Sequence, residues 1–163
     1  MWSVADHLRF ARASRERAQR QLLRAKVAMP TFREAVQAKD MDTVESMLAD
    51  DVVFRSPVAF QPYPGKAITN AILRAVVEVF DDFRYVQEIH DGAAHALLFE
   101  ATVDGLHLTG CDFLGYDGEG KISDFMVMVR PLSAATALAK QMAQRYPAIQ
   151  AAAAAAMQGT SDK

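Results

Sequence analysis

The second half of the sequence constrains the fold most strongly, because its apolar residues change from a helical to a strand-like pattern near Phe83. Turn sequences divide this half into four runs. Two of the turns contain the steps Asp104-Gly105 and Asp117-Gly118, which are strong signals for β-hairpins. The pattern predicts an antiparallel meander of four strands, at about residues 84–90, 94–103, 106–116 and 121–131.

Helical patterning dominates the part of the chain that precedes the meander. Residues 3–28 combine Arg, Ala, Leu and Gln without Gly or Pro, which predicts one long basic helix. A second helix is predicted over Phe32–Leu48 with a break near Lys39-Asp40, and a third from Lys66 to Asp81-Asp82. Helices followed by a run of strands are typical of an α+β domain.

A short strand at Val52–Phe54 and a last helix at Ala134–Tyr146 complete the predicted elements. Pro147 follows this helix, and six alanines occupy positions 151–156. Proline commonly ends a helix, and an isolated alanine run forms a helix of marginal stability. We therefore expect three parts: an N-terminal basic helix (1–29), an α+β domain (30–146) and an alanine-rich C-terminal tail (147–163).

The composition restricts the classes of partner. A chain of 163 residues, of which 51% are hydrophobic, is large enough to bury the core of one domain. Its net charge of -2 and pI near 6.1 give no general attraction to nucleic acid or anionic lipid, so neither is expected as a partner. The sequence has no apolar run of about 18 residues and no apolar stretch typical of a secretory signal near its start. We expect a cytoplasmic protein.

Three stretches of the sequence resemble the nuclear transport factor 2-like superfamily, which includes ketosteroid isomerases, limonene epoxide hydrolases and SnoaL-like cyclases. They are the acidic helix-to-strand corner from Ala38 to Val52, the helix start Gly65-Lys66-Ala67-Ile68, and Gly110-Cys111-Asp112-Phe113 with Gly118-Glu119-Gly120-Lys121-Ile122. The resemblance implies a cone-shaped fold, with helices packed in the concavity of a strongly curved, mostly antiparallel sheet. The basic helix would be an addition to that fold.

The resemblance also implies a pocket inside the cone, and such closed apolar pockets are the usual ligand sites. It places Asp112 on the inward face of its strand, where burial would raise its pKa and make it the candidate catalytic acid/base. A structural Asp, hydrogen-bonded to Ser56 or to a backbone amide, is the alternative. Strand alternation and the resemblance together predict the pocket residues Phe32, Phe54, Ser56, Leu97, Phe99, Leu114, Tyr116, Phe125 and Val127.

Two activities of similar families lack their residues here. At the positions that match the general-base Asp, the oxyanion-binding Tyr and the protonated Asp of ketosteroid isomerases, this sequence has Ser56, Phe32 and Asp112. The missing base argues against ordinary ketosteroid isomerase activity. Limonene epoxide hydrolases need a second Asp on the last strand, where the inward candidates here are apolar, including Phe125 and Val127.

Metal and cofactor motifs are not found in the sequence. The four histidines, His7, His90, His95 and His107, show no pairing that would place two metal ligands on one face beside a carboxylate, so no metal site is expected. The sequence has no Walker-type loop and neither a GxGxxG nor a GxSxG motif, and we expect no cofactor. The only cysteine, Cys111, excludes an intrachain disulfide.

The leading hypothesis is a SnoaL-like small-molecule pocket protein with cyclase or isomerase-type acid/base chemistry on a hydrophobic, carbonyl-bearing substrate. One alternative is a non-catalytic module that binds a hydrophobic ligand, and another is an interaction protein with a vestigial pocket. The predicted strands are apolar on both faces, and such sheets need a second cover. We therefore expect a homodimer formed through the outer face of the sheet.

Overall fold

The computed structural model describes residues 30–92 and 94–160, and the predicted basic helix at 1–29 lies outside them. The first elements are two short helices, α1 (Phe32–Gln37) and α2 (Met41–Met47), separated at Lys39. Asp40 caps α2 by accepting a hydrogen bond from the Thr43 amide at 3.1 Å. The predicted break near Lys39-Asp40 is therefore the boundary between two helices.

Six strands and four helices form the described part of the domain. Strand β1 (Leu48–Arg55) and the two-residue β2 (Tyr63–Pro64) precede helix α3 (Lys66–Val79). The meander then runs through β3 (Asp81–Asp91), β4 (Ala94–Val103), β5 (Leu106–Tyr116) and β6 (Ile122–Arg130), and helix α4 (Leu132–Thr160) follows. The predicted α+β fold, with helices on one curved sheet, is confirmed.

The strands form one sheet in the order β2-β1-β6-β5-β4-β3. All neighbours are antiparallel except β1 and β6, which are parallel. Side chains alternate across the sheet as strand geometry requires. On β4, Leu97, Phe99 and Ala101 are buried on the inner face, whereas the outer face exposes apolar side chains of β5 and β6, including Phe113 and Met128.

Helices α3 and α4 pack against each other and against the inner face of the sheet. Gly65 immediately precedes α3 with φ at 101°, a conformation that favours glycine. No helix in the described residues is long and apolar enough to cross a membrane.

Helix α4 differs from the expected end at Tyr146, because Pro147 lies inside it. Proline removes one backbone hydrogen bond from a helix, which favours an end but does not require one. Beyond Pro147, the side chains of Ile149 and Ala153 are buried in the same core as the rest of the domain. The burial of these side chains offsets the lost hydrogen bond, so the alanine-rich segment continues the helix up to Thr160.

Candidate active site

Asp112 is the only carboxylate buried in the described core, and the alternation of β5 places it there. Gly110, Asp112 and Leu114 face inward, and Phe113 between them faces outward. The Tyr85 hydroxyl donates a hydrogen bond to Asp112 Oδ2 at 2.6 Å. Burial raises the pKa of Asp112 to about 7, although the hydrogen bond from Tyr85 opposes the rise.

Tyr85 stays protonated in this pair. Its side chain is buried, and burial raises the pKa of its phenol well above the ordinary value, with the Asp112 charge and hydrogen bond adding to the effect. The phenol therefore remains a donor to the carboxylate at neutral pH. Because no other hydrogen bond to the Asp112 side chain is found among the described residues, Oδ1 is available to a ligand.

Asp112 and Tyr85 form part of the wall of an apolar cavity between the helices and the inner face of the sheet. Ser56 is the only other polar side chain in the wall. The Val58 amide donates to Ser56 Oγ at 3.2 Å, which leaves the hydroxyl hydrogen of Ser56 for a ligand. The remaining wall is aliphatic or aromatic, with Met41 from α2 and Met142 from α4 as its most adaptable members.

The cavity is narrow. The centres of water molecules can occupy a volume of about 60 Å³ inside it. The space between the walls, including the part that opens to solvent, is about 650 Å³. One water needs about 10–15 Å³ of the smaller volume, so the cavity has room for roughly five waters. It therefore fits a ligand of only a few non-hydrogen atoms, and a larger one requires outward movement of side chains such as Met142.

The structure brings most of the predicted pocket residues together. The cavity wall contains Phe32, Phe54, Ser56, Phe99, Asp112, Phe125 and Val127. Leu97 and Leu114 face the same side of the sheet but are packed in the core outside the wall. Tyr116 also lies outside the wall, and its hydroxyl is 3.3 Å from His95 Nδ1. Strand parity identified the inward face, but the cavity covers only part of that face.

Tyr85 is a site residue that the sequence analysis missed. It lies on β3 directly opposite Phe99 of β4, in the hairpin between these strands. Extending the regular register of this hairpin from its turn would have placed Val86 opposite Phe99, and a register shift between Tyr85 and Gln87 brings Tyr85 there instead. The inward face of β3 could not be read from simple alternation, because its register shifts on either side of this segment.

A second polar cluster lies beside the turn of the β3–β4 hairpin. His90 of β3 and His95 of β4 are a cross-strand pair, and their rings stack with centroids 3.7 Å apart. Glu88 Oε1 is 2.6 Å from His95 Nε2 and 3.1 Å from His90 Nε2. The prediction that no two histidines pair beside a carboxylate is therefore wrong. It considered spacing along the chain, whereas the hairpin places these residues together across strands.

One further side chain, from α1, contacts this second cluster. Arg33 of α1 lies with its guanidinium 3.4 Å from Glu88 Oε2, and it also donates to the Tyr85 carbonyl at 3.0 Å. Burial lowers the pKa of His95, with the nearby His90 adding to the effect and Glu88 opposing it. Burial acts to raise the pKa of Glu88, but Arg33 and the histidines together hold it below its ordinary value.

The curved sheet and its covering helices define a domain of the cone fold, with a buried carboxylate in an apolar cavity. The SnoaL-like domain family matches residues 31–125, which is more than half of the sequence, and the chain belongs to this family. Among proteins with curated descriptions, none matches the sequence.

Solved structures agree with this assignment. A steroid delta-isomerase from Pseudomonas aeruginosa is 38% identical, with a TM-score of 0.68, over 72% of this chain and 88% of its own. A protein with a cystatin-like fold from Silicibacter pomeroyi is 32% identical, with the same TM-score, over 70% of this chain and 81% of its own. An epoxide hydrolase of the LEH-like type from M. tuberculosis, 23% identical over 69% of this chain and 86% of its own with a TM-score of 0.50, shares the fold alone.

Proposed function

We propose that the protein is a cofactor-independent acid/base catalyst of the cyclase or isomerase type, which acts on a hydrophobic substrate that carries a carbonyl group. The observation that carries the proposal is the buried environment of Asp112 and the pKa that results from it. It is a buried carboxyl in an apolar wall, its pKa is about 7, and only one of its oxygens is held by Tyr85. A general acid/base works best when its pKa lies near the working pH.

The chemistry follows from the free oxygen of Asp112. The ionised carboxylate takes a proton from the carbon next to the substrate carbonyl, and the electron pair of that C–H bond passes into an enolate. In isomerisation, Asp112 returns the proton to another carbon of the substrate. In cyclisation, the enolate carbon forms a bond to a second carbonyl carbon, and Asp112 returns the proton to the resulting alkoxide.

The polar groups of the wall limit the substrate to an already acidic carbon. Apart from Asp112 and Tyr85, only the Ser56 hydroxyl is available to donate to the enolate oxygen. One neutral donor stabilises an oxyanion less than a pair of donors does. A carbon between two carbonyls needs less help, and a small dicarbonyl compound also suits the narrow cavity. The similarity to a steroid delta-isomerase supports the proton-transfer class. The family resemblance, however, matches Ser56 to the general base of ketosteroid isomerases, so the base here would be Asp112.

Hydrogen exchange in D₂O tests the proposal directly. Ethyl acetoacetate is incubated with the protein, and loss of its α-proton NMR signal is followed above the buffer rate. We expect exchange that increases as pH rises through about 7, because the ionised form of Asp112 is the base. The variant Asp112→Asn should lose the exchange activity, and Asp51→Asn, which changes an exposed carboxylate, should retain that activity. Equal exchange by wild type and Asp112→Asn would remove Asp112 from the chemistry.

Ligand binding without catalysis is the second candidate function. The observation that favours it is the apolar wall, which has only three polar side chains, one of them a carboxylate. If wild type shows no exchange above buffer but small apolar ketones raise its melting temperature, the binding module is supported. Replacing Val127 by Trp would fill part of the cavity and should abolish this stabilisation.

We also propose a homodimer formed through the outer face of the sheet. Ile89, Phe113 and Met128 expose 50%, 38% and 53% of their surfaces there. Exposed apolar patches of this kind commonly mark protein interfaces. Light scattering should give the mass of two chains at micromolar concentration, and Met128→Glu should shift it toward one. A wild-type mass of one chain would contradict the dimer.

A further inference from the structure

We propose that Glu88, His90 and His95 form a binding site for a divalent transition-metal cation, with Zn²⁺ as the best fit. One ligand atom from each residue lies within 4.8 Å of the other two. Two imidazole nitrogens and one carboxylate oxygen are a donor set that Zn²⁺ binds in proteins, with a fourth position left for water. The cavity wall contains none of these residues, so the site is separate from that of Asp112.

The strongest evidence is the unsatisfied nitrogen of His95. The ring is 7% exposed, and its Nε2 has no hydrogen-bond partner although it lies 2.6 Å from Glu88 Oε1. The two atoms are close enough for an ion pair, but the contact does not have the geometry of a hydrogen bond. Buried polar atoms without partners are rare and need an explanation. A cation coordinated by both the nitrogen and the oxygen would satisfy them, and the two atoms would move apart to take adjacent positions around it.

Neighbouring side chains orient two of the three ligands. Tyr116 Oη lies 3.3 Å from His95 Nδ1, so Nδ1 can donate to it and leave the Nε2 lone pair for a cation. Arg33 contacts Oε2 of Glu88, which leaves Oε1 toward the histidines. Metal ligands are usually held in this way by partners on their other atoms.

His90 is the ligand whose side chain must change orientation to bind the cation. Stacked rings direct their nitrogens side by side, whereas ligands of one cation must converge on it. The side chain of His90 is 68% exposed, so its ring can turn out of the stack without disturbing the core. Because His90 lies on β3 and His95 on β4, a bound cation would join the two strands beside the turn of their hairpin. We therefore expect a bound cation to stabilise the hairpin.

Zinc titration of the purified chain, by calorimetry at pH 7.5, tests the proposal. We expect one equivalent to bind to wild type, and the variants His90→Ala and Glu88→Gln to bind at least about tenfold more weakly, since each lacks one ligand. The matched control is His107→Ala, an exposed histidine on β5 outside the cluster, which should bind as wild type does. His90→Ala changes an exposed side chain and should fold normally.

Thermal unfolding provides the second readout. Zn²⁺ should raise the melting temperature of wild type and His107→Ala but not that of His90→Ala, because a ligand stabilises only the state that binds it. The proposal is overturned if wild type binds no zinc, or if His90→Ala and Glu88→Gln bind zinc as tightly as wild type. It is also overturned if His107→Ala loses binding to the same extent as His90→Ala. None of these outcomes depends on the activity of Asp112.

Discussion

Replacing Asp112 by Asn should make the protein more stable at pH 8 than the wild type. The buried carboxyl has a pKa of about 7, against 3.8 when it is exposed to water. Below about pH 4 the side chain is protonated in both the folded and the unfolded chain. Above pH 7 it is ionised in both, and the folded chain then holds a desolvated charge. Asparagine mimics the protonated carboxyl and never carries that charge.

The magnitude follows from the difference between the two pKa values. One pKa unit corresponds to about 1.36 kcal/mol, so a rise from 3.8 to about 7 corresponds to about 4 kcal/mol. Between these two pH values the folded chain binds more protons than the unfolded chain, so the free energy of unfolding decreases as pH rises. This contribution of Asp112 is fully favourable below about pH 4 and is lost by about pH 7.

Urea unfolding followed by circular dichroism, at fixed protein concentration and at several pH values from 4 to 8, measures this contribution. The free energy of unfolding of Asp112→Asn minus that of wild type should increase by about 4 kcal/mol across this range. Asp51→Asn, on the exposed side of β1, should show no such increase. A difference between Asp112→Asn and wild type that stays constant with pH would refute the assignment of a raised pKa to Asp112.

Three further substitutions test other parts of the structure. Tyr85→Phe removes the hydrogen bond that lowers the pKa of Asp112, so the pH-dependent fall in the free energy of unfolding should occur at higher pH in this variant than in wild type. The same pH midpoint for this fall in both proteins would contradict the prediction. Gly110→Ala should lower the free energy of unfolding by about 1–3 kcal/mol in urea, because the added methyl group would overlap the Phe99 ring; a neutral effect would contradict this packing. Ile149→Ala should cost about 2–5 kcal/mol if the segment beyond Pro147 belongs to the core, whereas a frayed tail would give no loss.

The strand bounds were the most predictable part of the fold. The predicted strands at 94–103 and 106–116 agree with β4 and β5. Asp104 and Gly105 both have positive φ, at 48° and 75°, which is the backbone of the tight turn that Asp-Gly favours. A two-residue turn fixes the register of the strands it joins, so local chemistry determined both their ends and the side chains that face inward.

The side chains that meet across elements were harder to predict. Glu88, His90 and His95 come together because β3 pairs with β4, and Tyr85 of β3 reaches Asp112 of β5 across the intervening strand β4. The position of Tyr85 depends on a register shift between Tyr85 and Gln87, which no periodicity in the sequence reveals, whereas the Glu88, His90 and His95 cluster lies in the regular register beside the turn and required only that the hairpin pairing be considered. The path of α4 through Pro147 was also unpredictable, because it depends on burial against distant elements rather than on local helix preference.

The parallel pairing of β1 with β6 has a consequence for how the domain folds. Phe54 and Phe125 are register partners in this pairing, although they are separated by most of the domain in sequence, and both belong to the cavity wall. Hairpins close quickly because their strands are neighbours, whereas distant pairings form slowly. We therefore expect the β3–β6 meander to form early and β1 to join it late. The cavity would then be completed near the end of folding, so that partly folded chains would lack a closed pocket.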